Sequence, residues 1–251
     1  MFGYVFVGAA QGEPALCGAP FCAVEVKAGG TLAARRSARQ AARRLARRGI
    51  REAVFPEGYL FFPLFARCGV RPVPTAPLYR ATAGAILRRA LAQRGAKPPE
   101  STVALAAARV TAELAQTAWQ IAPRVRYLAL AVDGGGEALA YELRRELGVA
   151  ARVYPRGAAP DATITLSFDG GAGLPRRGVV PLDSPALGVE YVMPEEIRAP
   201  GCDENGLLAA LVRLGTLQPE TLTVRRLWWE EQGSAAVRAG ESDGIPPLTS
   251  E

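Results

Sequence analysis

The chain runs strand, helix, strand, helix, strand twice, once over residues 23–74 and again over residues 102–155. The first copy reads AVEVKAGG, TLAARRSARQAARRLARRG, REAVFP, EGYLFFPLFARCG and VRPV; the second reads TVALAAAR, VTAELAQTAWQIAP, RVRYLALAVD, GGGEALAYELRRELG and VAARVY. Matching Thr31 to Thr111 and Gly69 to Gly148 sets the repeat at 80 and 79 residues, so the register drifts by one residue across the unit. Two βαβαβ halves joined by a crossover are the plan of a doubly wound, mostly parallel α/β sheet of Rossmann type. The runs VALAA and LALAV fit strands buried on both faces, as parallel sheets require.

Around the repeat, Phe2–Gly8 reads as an extra N-terminal strand beside the first strand of the first copy. The helix from Thr31 has Ala34, Ala38, Ala41, Ala42 and Leu45 at helical spacing, with Thr31 as N-cap and Gly49 as stop. Residues 76–95 form the crossover helix, ended by Lys97, Pro98 and Pro99. Ala162 to Ser167 reads as a further strand, but the linker after Tyr154 is too short for a helical crossover, so an antiparallel or irregular placement is expected. Asp203 caps a helix to about Leu214, and LTVRRLWW supplies a last strand, with Trp228 and Trp229 as core or interface anchors. The expected organisation is a Rossmann-like domain over 1–168, a C-terminal extension packed on it over 169–232, and a disordered tail over 233–251.

A chain of 251 residues buries a core without staples. Arg, Glu or Gly interrupts every apolar stretch before the ~20 residues of a membrane span, and the opening MFGYVFVGAAQGEP lacks a basic n-region, so a cytoplasmic protein without a membrane span is expected. Cys17, Cys22, Cys68 and Cys202 are too dispersed for a disulfide framework or the usual zinc spacings. Histidine is absent, which removes the commonest general base, metal ligand and triad partner. Lys27 and Lys97 are the only lysines against 28 arginines, a bias of GC-rich coding. Neither enzyme nor non-enzyme follows from these counts, and substrate, reaction and oligomeric state stay unassigned.

Charge is unevenly placed. Residues 1–100 carry 16 basic and 5 acidic side chains, and residues 101–251 carry 14 and 19. Arg35, Arg36, Arg39, Arg43, Arg44, Arg47 and Arg48 lie on one helix without an acid among them. That face reads either as a solvated surface or as the contact of a non-catalytic module with a nucleic-acid or protein partner.

In an open α/β sheet, ligands bind beyond the carboxyl ends of the strands where strand order reverses. KAGGT follows a strand and opens a helix, so Lys27, Gly29, Gly30 and Thr31 can receive a phosphate at the helix N-terminus; a plain glycine-lined turn uses the same residues. The loop resembles a truncated G-x-G-x-x-G turn, with lysine at the first glycine and no third glycine. Glu57 stands at the end of the next strand, where a ribose-binding acid belongs, or serves as an N-terminal acid of the following helix. Asp133, Gly134 and Gly135 bear a likeness to the D-x-G-x-G loop of Rossmann-like methyltransferases, and Asp133 also reads as an N-cap. A further glycine turn starts at Phe168. Arg109 leaves the first strand of the second copy, placed to clamp a phosphate or carboxylate or to pair with Glu113. The leading functional reading is a nucleotide- or dinucleotide-binding protein, NAD(P) or another nucleotide, with its ligand between Gly29, Gly30 and Arg109. Tyr59, Phe61 and Phe62 stand where they can fill that crevice.

Overall fold

The computed structural model describes residues 1–8, 15–16, 18–158, 160–170, 174, 178–199 and 201–229. In chain order the first part holds β1 (Phe2–Val7), β2 (Ala15–Leu16), β3 (Phe21–Val26), α1 (Leu32–Arg47), β4 (Glu52–Val54), α2 (Phe62–Ala66) and β5 (Arg71–Pro72). Next come α3 (Ala76–Ala81), α4 (Ala83–Gln93), β6 (Thr102–Ala107), α5 (Ala112–Ile121), β7 (Tyr127–Val132), α6 (Gly136–Leu147) and β8 (Ala151–Tyr154). The last part holds β9 (Ile164–Ser167), β10 (Val179–Pro181), β11 (Gly188–Tyr191), β12 (Ile197–Arg198), α7 (Glu204–Arg213) and β13 (Val224–Trp228). The expected tail over 233–251, Cys17 and part of the glycine turn after Phe168 lie outside the described residues.

The two halves build a Rossmann-like α/β protein, but as two parallel sheets rather than one continuous sheet. The first has the order β3-β1-β4-β5 and the second β10-β9-β6-β7-β8. The first sheet is further changed by β1. It lies beside β3 as expected, yet on the side facing β4, so that Val5 aligns with Val24 on one flank and Gly3 with Ala53 on the other. The N-terminal strand thereby enters the first unit and separates β3 from β4, the two strands that the repeat alone would have paired. Gly3 is required there, since a Cβ would meet the Ala53 Cβ at 2.9 Å and Leu45 Cδ1 at 3.0 Å. Two short antiparallel pairs, β11 with β13 and β12 with β2, accompany the sheets.

Alternation along the strands sets the layers. Val5, Val24, Ala53 and Phe55 pack against the buried Ala38, Ala41, Ala42 and Leu45 of α1 and Phe65 of α2. Phe2, Tyr4 and Val54, on the opposite face of the first sheet, join a larger core with α3, α4, α7 and the helix-facing side of the second sheet, including Leu105, Leu130 and Leu166. The second sheet presents small residues on its other face, where Leu174 packs on Ala106 and Ala131.

Two expectations are corrected. The crossover helix over 76–95 is broken at Thr82 into α3 and α4. The Thr82 hydroxyl donates back to the Leu78 carbonyl at 2.9 Å and meets the Tyr191 hydroxyl at 2.6 Å, and such back-bonding bends helices. The strand β9 is parallel, paired with β6 from Val103↔Ile164 to Ala106↔Ser167. The return from β8 is made by a short connection that holds one 3-10 turn over Arg156–Ala158 in place of an α-helix. Among the described residues no helix is long and apolar enough to cross a membrane.

Candidate functional site

The first sheet turns back at β1, with β3 on one side and β4 on the other, and its carboxyl edge opens into a cleft of about 370 Å3. Val7, Lys27, Ala28, Gly29, Glu57, Tyr59, Leu60 and Phe61 are among its walls. Gly29 has φ +84°, the left-handed turn between β3 and α1, and no atom lies within 4 Å of a Cβ built on Gly29 or Gly30. Thr31 accepts the Ala34 N–H at 3.2 Å as N-cap, and the first turn of α1 holds no acid. Lys27 and Glu57 are both exposed.

Glu57 does not serve α2, which begins at Phe62 and has no acid in its first turn. Its N–H donates to the Gly201 carbonyl at 3.0 Å, and it borders both this cleft and the neighbouring one. Of the aromatic residues placed to fill the crevice, Tyr59 and Phe61 instead form its wall, and Phe62 lies on the neighbouring cleft. Tyr59 stacks on Phe55 at 6.1 Å and meets Phe65 edge-on at 5.9 Å, while Phe62 turns edge-on to Phe55 at 5.6 Å. Leu60 remains 76% exposed on that wall.

A second cleft, of about 500 Å3, lies across the Pro56–Tyr59 loop. It is closed from the other side by Gly201–Asn205, Val189, Glu190 and Trp228. The segments are joined by the Asp203 N–H donating to the Phe55 carbonyl at 2.9 Å and by a bridge between Pro56 and Cys202. Glu57, Glu190, Asp203 and Glu204 line it without a basic residue, and although Arg225 and Arg226 pair with Glu190 from outside at 3.3 and 3.7 Å, the lining offers phosphate no cationic donor. Nothing in the sequence places 201–205 against 55–58; the contact is purely tertiary.

Cys202, 5% exposed in this wall, is not an activated nucleophile. Burial first, then the Asp203 carboxylate, pushes its thiol up to about 11, so it stays protonated near neutral pH. Burial also pushes Tyr59 up to about 12. In both cases the folded chain holds a proton that the unfolded chain releases at lower pH. Stability should therefore fall as pH rises from about 9 to 11, by about 2 kcal/mol for the thiol, with Tyr59 extending the loss above pH 10. Urea unfolding midpoints across that range check this; Cys202→Ala should remove the part that begins near pH 9.

The second sheet has the strand order of the dinucleotide-binding class, with β8-β7-β6 on one side and β9-β10 on the other, and its reversal falls between β6 and β9. That point is occupied by the protein's own carboxylate. Asp169 Oδ2 accepts the Ala108 N–H at 2.6 Å, and its Oδ1 lies 2.9 Å from Arg156, which also donates to the Asp169 carbonyl at 2.8 Å. Asp133 accepts the Arg156 N–H at 3.0 Å, so it holds the neighbouring loop and does not cap α6. The cap position is Gly135, at φ +82°. Gly134 lies against Arg109, whose Cγ is 3.5 Å from a Cβ built there.

Of the nine expected binding residues, Lys27, Gly29 and Glu57 share one cleft, with Gly30 and Thr31 continuing into the adjoining helix start. Arg109, Asp133, Gly134 and Gly135 stand on the edge of the other sheet. The Arg156–Asp169 pair was missed, because its partners come from separate loops; only Asp169 at a strand end hinted at it.

No protein-family model and no curated protein matches the chain. Among solved structures it is similar to shikimate 5-dehydrogenase from Listeria monocytogenes in complex with shikimate and NAD, at 10% identity and a TM-score of 0.28, covering 74% of this chain and 73% of that one. It is also similar to unliganded arylmalonate decarboxylase, at 18% identity and a TM-score of 0.21, covering 64% of this chain and 94% of that one. Likeness at this level carries no argument about ligand or reaction. The class, a Rossmann-like α/β protein, is defined by the two parallel sheets themselves.

Proposed function

We propose that the protein binds a nucleotide at the carboxyl edge of its first sheet. One observation carries the reading: a single cleft of about 370 Å3 gathers Lys27 and Gly29, Glu57, and the wall of Tyr59, Leu60 and Phe61. Phosphate suits the lysine and the glycine turn at the start of α1. Ribose hydroxyls suit a carboxylate, and a base suits the aromatic wall. Among the openings at the carboxyl ends of the strands, the acid-lined cleft and the crevice held by Asp169 suit an anion less well than this one does.

Thermal unfolding against NAD(H), NADP(H), S-adenosylmethionine, nucleoside diphosphates and nucleotide sugars tests the proposal. A ligand at 100 times its Kd adds about 2.7 kcal/mol, which should raise the midpoint by roughly 5–10 °C. Gly30→Asp, in open space at a helix start that tolerates an acid, should abolish the shift without lowering the midpoint of the free protein. Arg109→Ala should leave the shift unchanged. No shift with any compound would sink the nucleotide reading.

A second reading rests on a separate observation. The six arginines of α1 and Arg48 at its C-cap are all exposed, over a helix with no acid. We infer that this face meets an anionic partner.

A further inference from the structure

We propose that the partner of the α1 face is duplex nucleic acid, held through its phosphates without regard to sequence; this rests on the reading of α1 as an interaction face. From residue 26 to 51 the chain has nine basic residues and no acidic one. GC-rich coding explains arginine in place of lysine, but not the missing acids, because α6 of the same chain mixes Glu137, Glu142 and Glu146 with Arg144 and Arg145. Like charges repel along the row Arg35, Arg39, Arg43 and Arg47, each four residues from the next. The fold alone gains nothing from that repulsion.

Helical geometry distributes the guanidinium groups. Opposite the buried Ala34, Ala38, Ala41, Ala42 and Leu45, the crest carries Arg36, Arg43 and Arg47; one flank carries Arg35 and Arg39, and the other Arg44. Arg48 turns back to donate to Cys22 Sγ at 3.0 Å. The basic surface from Arg35 to Arg47 is about 18 Å long at 1.5 Å per residue.

The partner's class follows from what this face lacks. An interfacial membrane helix buries an apolar stripe in lipid, and that of α1 is already covered by the first sheet. A protein interface is built around an apolar centre, and the crest of α1 from Arg36 to Arg47 offers no apolar or aromatic residue to form one. Single strands are held by stacking on aromatic side chains, and the outer face of α1 has none. A phosphate backbone asks only for neutralising charge at regular spacing.

The test is fluorescence anisotropy of a labelled 24-base-pair DNA duplex with the full chain, beside poly-glutamate and phosphatidylserine vesicles as competing anions. Neutralising about five phosphates predicts a slope near −4.5 in log K against log salt, roughly a 500-fold loss between 50 and 200 mM. The triple variant Arg39→Glu, Arg43→Glu, Arg47→Glu should weaken duplex binding at least 50-fold. Its unfolding midpoint should change by no more than a few degrees, because all three side chains are exposed and the surface exchange opens no cavity in the core. Duplex affinity indifferent to the variant, or a flat salt dependence, overturns the proposal. Arginine-dependent binding of poly-glutamate or vesicles in place of the duplex overturns the partner class and keeps the interaction face. Binding of none of the three overturns both.

Discussion

Replacing Phe65 with alanine should lower stability by about 4 kcal/mol, a loss of roughly 10–15 °C in the unfolding midpoint. Phe65 is fully buried between the first sheet and α1, and its ring stands edge-on to Phe55 at 5.0 Å and to Tyr59 at 5.9 Å. Truncation removes the transfer energy of a whole ring, leaves a cavity that rigid neighbours fill only in part, and ends two aromatic contacts. The same residue ties stability to the proposed site. Tyr59 is a wall of the cleft proposed for a nucleotide and rests on Phe65, so on that proposal nucleotide affinity should also weaken, by about tenfold or 1.4 kcal/mol. Calorimetry at a temperature where the variant is fully folded separates the two effects. Leu105→Ala, an equally buried truncation in the second sheet, should reduce stability and leave affinity unchanged.

Gly136→Val should cost about 3 kcal/mol, seen as a lower urea midpoint at an unchanged m-value. A Cβ at Gly136 would sit 2.6 Å from Val132 Cγ2 and 2.7 Å from Val153 Cγ1, so α6 could no longer lie this close to β7 and β8. Because both contacts are branched side chains on buried or half-buried strands, relief requires moving the helix itself. The result also discriminates between two uses of glycine in this chain. Gly136 is a packing glycine, whereas Gly30 meets nothing within 4 Å and can take a side chain without strain. Two turns that look alike in sequence thus differ in kind, and only the one after β3 opens onto a cleft with a lysine beside it.

Features that depend on a few neighbouring residues were legible in the sequence. Thr31 and Asp203 cap α1 and α7 through the N–H groups of Ala34 and Gly206, each three residues away. The alanine and leucine stripe of α1 is the buried one, and the apolar runs of β6 and β7 lie in a parallel sheet. Asp133 shows the limit of local reading. Its position before a helix suggests a cap, but its carboxylate is held by the backbone of Arg156, 23 residues on.

The sequence by itself determined that this is a Rossmann-like α/β protein with a repeated unit, because strand and helix periods, caps and turns are set by interactions within a few residues. Tertiary structure alone decided that β1 enters between β3 and β4, that two sheets form in place of one, and that Gly201–Asn205 closes against Phe55–Gly58. Strand pairing uses backbone groups that every residue carries, so the choice among partners falls to long-range packing. A glycine that admits Leu45 and Ala53 and a strand paired on both edges set the order of the first sheet, and a carboxylate from a distant loop fills the strand-order reversal of the second.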